Sequence, residues 1–338
     1  MRVAIDLGSA NTSIYIANHG IVSVDPTYIA NDSKKEAVVA VGETARQMVG
    51  RTPEYIQISR PITAGVVSDP VLFEIYVKYL LNEAIQKIGL FNFRNFQTVV
   101  SIASNSTQVD SRSLRELFLK IGAGKVSMIN QLYAGAVGSK IPFRDIKGQM
   151  LIILGDSGTE IGVFSLGKLV FTEVLSISGS KFTQNVVKIL RDEFNLLVGQ
   201  NTAEECKIRS LSNLTSNTRE KQKIAVRGRD LSTGLPKTIN IDQSLIHESI
   251  AKDLIEIANT IKKCIESLPP EIAVDIHDNG INLCGGGAMI AGMDEVISKL
   301  VNINTIVVSD PTTAVIRGCG AILENLNDYQ DILYDFSV

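Results

Sequence analysis

The chain has 338 residues, 45% of them hydrophobic and 20% charged, with a formal net charge of −3; it is too apolar to be disordered and long enough to bury two sizeable cores. No global basic field is available for a phosphate backbone, so nucleic acid is not an expected partner. Cys206, Cys264, Cys284 and Cys319 stand apart without CxxC spacing, as do His19, His247 and His277, and no apolar run reaches the ~18 residues of a membrane span, which predicts a cytoplasmic protein without a zinc site or disulfide framework.

In chain order, an apolar strand over Val3-Ala-Ile runs into Asp6-Leu-Gly-Ser-Ala-Asn-Thr12 and on into Ser13-Ile-Tyr-Ile-Ala17, the pattern of a β-hairpin with a small-residue turn. With Met1 at the start of that strand, neither a signal peptide nor an N-terminal amphipathic helix is expected. A long amphipathic helix is predicted over 70–88, a buried strand over 96–102, a helix over 110–121 and a strand over 125–129. Met150-Leu-Ile-Ile-Leu154, Gly155-Asp-Ser-Gly-Thr159 and Ile161-Gly-Val-Phe-Ser165 then repeat the first hairpin about 145 residues later, implying two similar α/β lobes with a ligand cleft between them. Helices follow at 179–194 and 202–211. A polar stretch over 210–242, alternating at Lys223-Ile-Ala-Val-Arg227 and Lys237-Thr-Ile-Asn-Ile241, reads as a small exposed β insertion. A helix over 243–268 and a strand over 281–284, ending in Gly285-Gly-Gly287, complete the pattern.

Turns of Gly, Ser, Asn and Thr let backbone N–H groups approach a phosphate, so two facing turns can clamp a triphosphate, and Asp6 suits a water-bridged Mg²⁺. Each turn alone is equally an ordinary structural hairpin. Gly285, Gly286 and Gly287 can admit a flat ring against bare backbone, or form a plain strand-to-helix turn. Gly122-Ala-Gly-Lys125 lacks the spacing and the following Ser/Thr of a P-loop, and no nucleophile–base constellation is visible.

Together these pieces resemble the actin, sugar-kinase and chaperone ATPase superfamily, and the stretches between them resemble the bacterial actin family MreB over nearly the whole chain. Asp6-Leu-Gly-Ser-Ala-Asn-Thr12 is similar to DLGTANT; Gly50-Arg-Thr-Pro-Glu54, Arg60-Pro61 and Gly65-Val-Val-Ser-Asp69 to GRTP, RP and GVIAD. Val226-Arg-Gly-Arg-Asp-Leu231, Leu283-Cys-Gly-Gly-Gly-Ala288 and Asp310-Pro-Thr-Thr313 with Arg317-Gly318 are similar to VRGRNL, LTGGGA, DPLT and ARGGG. The resemblance implies an α/β, actin-like fold of two lobes with ribonuclease-H-like cores and four subdomains: IA (1–32, 66–145, 315–338), IB (33–65), IIA (146–179, 243–314) and IIB (180–242). It implies ATP or ADP with Mg²⁺ as cofactors, Asp6, Gly8, Ser9, Ala10, Asn11 and Thr12 as first phosphate loop, and Gly155, Asp156, Ser157, Gly158 and Thr159 as second. Glu204 and Lys207, which otherwise read as a solvated helix face, match a pair beside the adenosine, and Gly285–Gly287 complete the site.

Departures from the family carry their own expectations. DIGGGTTE is here Ile153-Leu-Gly-Asp-Ser-Gly-Thr-Glu160, which puts Ile153 where the family has its metal-side acid; Asp156, three residues on, either supplies a carboxylate near Mg²⁺ beside Asp6 or tightens the turn. IEEP is Ile129-Asn-Gln-Leu132, so Gln131 takes the water-orienting position, with Gly158 and Thr159 opposite. Glutamine holds a water but cannot take its proton, which removes roughly 10²–10⁴-fold in rate and predicts weak ATPase activity, with Gln131 and Thr159 as what catalytic machinery remains. By the resemblance the chain self-associates into antiparallel double filaments, or co-assembles with paralogous actin homologues, at the inner face of the cell membrane. There it sets cell shape, or bends the cell in wall-less helical bacteria, of which it resembles a diverged paralogue. Leu90, Phe91 and Phe93 beside Arg94 match the membrane loop, or seal the base of the lobe. The competing readings are a non-hydrolysing pseudo-ATPase and a small-metabolite kinase, which needs a cleft acid that does not stand out; a chaperone would need a further domain after the last motif.

Overall fold

The computed structural model describes residues 1–35, 37–63, 65–89, 94–210 and 223–334. The chain divides into two compact units, Met1–Pro142 with Thr313–Val338, and Phe143–Thr312. The first opens with β1 (Arg2–Leu7), β2 (Asn11–Ile16), β3 (Gly20–Pro26), β4 (Ile29–Asp32), β5 (Ala37–Val41), α1 (Glu43–Met48), β6 (Ile56–Ser59), β7 (Ile62–Thr63) and β8 (Val66–Val67). It continues through α2 (Pro70–Lys87), β9 (Phe96–Ile102), α3 (Gln108–Ile121), β10 (Ala123–Asn130) and α4 (Gln131–Gly138). The second contains β11 (Gln149–Leu154), β12 (Thr159–Ser165), β13 (Lys168–Leu175), α5 (Gly179–Phe194), β14 (Leu196–Leu197), α6 (Gln200–Ser210), β15 (Lys223–Asp230) and β16 (Pro236–Asp242). Then come α7 (Gln243–Ser267), α8 (Pro270–Asn279), β17 (Ile281–Cys284), a 3-10 turn at Gly286–Met289, α9 (Met293–Val301) and β18 (Thr305–Val307), before α10 (Ala314–Glu324) and β19 (Leu333–Tyr334) return to the first unit.

The two main sheets share one plan. In the first unit the order is β19-β10-β9-β1-β2-β3, with β1 to β3 an antiparallel meander and β9 and β10 parallel to β1. In the second it is β13-β12-β11-β17-β18, again a meander continued by two parallel strands. Parallel neighbours need helical crossovers, which is why helices lie between these strands in sequence. The repeat read from the hairpins therefore extends through five strands of each sheet.

In α2 and α3 a side-chain cap and an apolar face coincide. Asp69 caps α2, accepting from Val71 N and Leu72 N at 2.8 and 3.0 Å, with Pro70 in the first turn. α2 buries Phe73, Tyr76, Val77, Leu80, Leu81 and Ala84 on one face. Thr107 and Asp110 make a reciprocal capping box at α3, whose Phe118 meets Phe73 edge-on at 5.9 Å. In the second unit α7 lays Ile250, Leu254, Ile257 and Ile261 into the core that holds β11 and β17. Of the stretch expected as an exposed insertion, 211–222 lie outside the described residues, and the β15–β16 hairpin is buried on one side: Ile224, Val226 and Ile241 join Val186, Leu190, Ala203 and Cys206 in a satellite core. All four cysteines are free and buried; burial pushes the Cys264 thiol up to about 12 and raises that of Cys319 well above its ordinary value. Among the described residues no helix is long and apolar enough to cross a membrane.

Candidate functional site

The first turn is Gly8 to Asn11, between the paired residues Leu7 and Thr12. A Cβ on Gly8 would lie 2.4 Å from Asn11 O, so this tight turn requires glycine. Two of its carbonyls are held from behind: Gly8 O accepts from Thr27 Oγ1 at 2.7 Å, and Ala10 O from Thr27 N at 2.9 Å. Both are groups that would repel a phosphate. Thr12 is fully buried, with its hydroxyl 3.1 Å from that of Thr27, and Ser9 is buried beside it, while Asn11 is exposed. Asp6, one residue upstream of Leu7, is half-buried by surface but its carboxyl is desolvated, which raises it to about 6 even though Ser101 Oγ donates to it at 2.6 Å. A carboxylate stripped of water in this way is the donor that a hard cation relieves.

The second turn, Gly155 to Gly158, occupies the same register between Leu154 and Thr159. Strand pairing sets Asp6 against Ser13 and Ile153 against Glu160, so Ile153 is the counterpart of Asp6, and Asp156 that of Ser9. Gly155 N donates to Gly158 O at 2.9 Å, with Asp156 and Ser157 at the tip. The carbonyls are again taken, Gly155 O by Gly179 N and Asp156 O by Ser180 N at 2.9 and 3.0 Å. Thr159, expected to face a water opposite Gln131, is fully buried and donates its hydroxyl to Ile177 O at 2.7 Å; like Thr12, it anchors its turn to the segment after the third strand. A Cβ on Gly158 would stand 3.1 Å from Leu175 O.

The other residues expected in the second unit converge on this turn. Lys207 is buried rather than solvated: its Nζ reaches Glu204 Oε2 at 2.7 Å, Gly179 O at 3.1 Å and Thr183 Oγ1 at 3.2 Å, while Thr183 also donates to Glu204. The Glu204–Lys207 pair is thus tied to the start of α5, which itself holds the turn. Gly285 and Gly287 pack on the strand end: added Cβ atoms would meet Leu154 O at 2.4 Å and Leu154 Cβ at 2.7 Å. Gly286 faces open space.

Gln131 begins α4 at the C-terminal end of β10, the sheet edge on which the first turn also lies, as expected for ligand sites in parallel α/β sheets. It is half-buried, and Asn130 caps the helix by accepting from Leu132 N at 2.8 Å. Leu90, Phe91 and Phe93 lie outside the described residues. Among the described residues no three His, Cys, Asp or Glu side chains gather as a metal cage. Sequence reading missed Thr27, Ser101 and Thr183, single hydroxyls without a local pattern; the only signal was a polar residue at the end of an apolar strand, as in Phe96-Gln-Thr-Val-Val-Ser101.

The family model described as MreB/Mbl protein matches residues 1–331. The chain is 32% identical to the cell shape-determining protein Mbl of Bacillus subtilis, over 96% of each chain, and 32% identical to the cell shape-determining protein MreB of Escherichia coli K12, over 96% of this chain and 94% of that one. The structure of MreB5 of Spiroplasma citri bound to ADP superposes with a TM-score of 0.90 at 27% identity, covering 97% and 98%. A MamK double helical filament subunit, at 17% identity and a TM-score of 0.77, shares the fold. Two sheets of one plan, each with a glycine turn in its first hairpin, and a family match over residues 1–331 place this chain in the MreB/Mbl family of actin-like proteins.

Proposed function

We propose that this protein is a cytoskeletal actin homologue whose subunits bind ATP or ADP, assemble into filaments and hydrolyse ATP weakly. The carrying observation is the pair of turns in one register, each with two of its carbonyls tied back to the chain behind it, which favours presentation of backbone amides to a phosphate chain. MreB5 of Spiroplasma citri was solved with ADP and with AMPPNP, which supports the same ligand class here. In this reading Gly8 to Thr12 and Gly155 to Gly158 hold the phosphates, Lys207 and Glu204 brace the nucleoside side, and Asp6 would hold Mg²⁺ through water, with Asp156 as the remaining acid of the second turn. The nucleotide, when bound, would supply the phosphoanhydride that a weak ATPase cleaves.

Gln131 positions a water by hydrogen bonding without removing its proton, and neither Gly158 nor the anchored Thr159 hydroxyl makes up the loss. Filaments with an antiparallel double protofilament, co-assembly with paralogues, attachment at the inner face of the membrane, and a role in cell shape or in bending wall-less cells belong to the same reading. The replaced acids favour, as a second reading, a pseudo-ATPase that co-assembles with an active paralogue. Sedimentation with and without Mg-ATP, with phosphate release followed in the same tubes, tests this: pelleting with slow release supports the weak ATPase, pelleting with none the pseudo-ATPase. Brisk turnover without pelleting would overturn both.

A further inference from the structure

We propose that a basic pocket on the first unit takes the headgroup phosphate of an anionic phospholipid. The pocket, about 560 Å³, is lined by Lys78, Arg94, Asn95, Lys120 and the turn Ile121 to Ala123. It lies where β9 and β10 begin, the sheet edge opposite the one that carries Gly8 and Gln131. An occupant there leaves the nucleotide turns untouched. The inference rests on the membrane-facing reading of the family resemblance, which names apolar residues but no headgroup site.

Three cations line this pocket, and Glu74 accepts from two of them, Lys78 Nζ and Lys120 Nζ, at 2.7 Å each. An ammonium has three donors, and Glu74 takes one from each lysine, so the carboxylate fixes two cationic heads without using up their donors. Glu74 is mostly covered, while the Lys78 and Lys120 side chains are 41% and 67% exposed, so the lysines form the outer layer. The carbonyl at the end of α3, which would repel an anion, is engaged: Gly122 O accepts from Asn95 N at 2.9 Å. Gly122 itself, at φ 120, lines the pocket, and a Cβ there would meet nothing within 4 Å. A phosphate between two ammonium groups and a guanidinium fits this arrangement, and a lipid is the fitting source because the pocket opens beside Arg94, immediately after Leu90-Phe-Asn-Phe93 in sequence.

The test is sedimentation of the full chain with vesicles of phosphatidylcholine alone and of phosphatidylcholine mixed with phosphatidylglycerol, for the wild type, Lys78→Gln/Arg94→Gln/Lys120→Gln, and Phe91→Ser/Phe93→Ser. The wild type is expected to sediment with the anionic vesicles, and the triple variant to lose roughly a hundredfold in apparent affinity while still melting cooperatively and pelleting with Mg-ATP as the wild type does. If the triple variant binds like the wild type while the Phe91→Ser/Phe93→Ser variant does not, the pocket inference fails and the membrane reading stands. If the wild type binds neither vesicle, both fail. Protection of Lys78 and Lys120 from acetylation, read by mass spectrometry, is expected with anionic vesicles; equal protection by inorganic phosphate alone would make this a soluble-anion site and overturn the lipid assignment.

Discussion

A Cβ added to Gly318 would lie 1.7 Å from the carbonyl oxygen of Ala134, so helices α10 and α4 touch through bare backbone. The contact is reciprocal, since a Cβ on Gly138 would lie 1.8 Å from Ala314 O. Arg317 clamps the crossing by donating to Gly138 O from Nη2 and Nε at 3.1 and 3.3 Å. Because backbone on both sides cannot yield, Gly318→Ala should cost about 3 kcal/mol, the upper end for overpacking. Urea denaturation checks this; a midpoint equal to that of the wild type would mean that the helices separate freely.

Lys207→Met should remove the polar tie between α6 and the head of α5, leaving their shared apolar core in place. Gly179 O and Thr183 lose a buried donor, which costs about 1–3 kcal/mol; Glu204, 43% exposed, recovers hydration and adds little. The variant should also lose the rise in melting temperature that ADP gives the wild type. A variant that melts lower but keeps the full ADP shift would make Lys207 a structural residue alone.

Asp6→Asn separates the desolvated charge from the hydrogen bond. The amide oxygen still accepts from Ser101 Oγ, while the carboxylate that burial disfavours is gone. Without nucleotide the variant should melt at or above the wild-type temperature, and its ADP affinity should no longer depend on Mg²⁺. A lower melting temperature in the absence of nucleotide would contradict this account.

Gln131→Glu returns a proton acceptor to the start of α4 and should raise phosphate release on the order of 10²-fold. Adding Gly158→Thr should give less than simple restoration, because its Cβ would press on Leu175 O at 3.1 Å. Unchanged release by Gln131→Glu would place the defect elsewhere, with Ile153 the next candidate.

The β15–β16 hairpin should show its own acid limit. Lys237 Nζ at 2.8 Å, with Ser232 N and Thr233 N, holds the Asp230 carboxyl down to about 2. A carboxyl lowered by folding stabilises the fold above its unfolded value and stops doing so as the pH falls through the folded one. Thermal melts of Asp230→Asn and wild type should therefore differ at neutral pH and converge as the pH approaches 2.

What the sequence showed was local. Hairpins with small-residue turns announced themselves, as did α2 and α3, whose caps precede an apolar face. The run Leu132 to Ala136 did not, because α4 is buried all round and so has no 3.6-residue period to detect. Ala203-Glu-Glu-Cys-Lys207 looked solvated for the opposite reason: its lysine is covered by α5, an element whose approach only the fold dictates. The second turn was read correctly in register yet not in role for Thr159, since a hydroxyl on an edge residue gives no clue whether it will face a ligand or the chain behind it.

The burial of all four cysteines makes the native chain chemically silent toward thiol reagents. Val109, on α3 and 72% exposed, is a position where a single Val109→Cys change would create the one site that a maleimide dye can reach. Assembly, and its dependence on nucleotide, can then be followed by fluorescence on a chain whose other thiols need no removal.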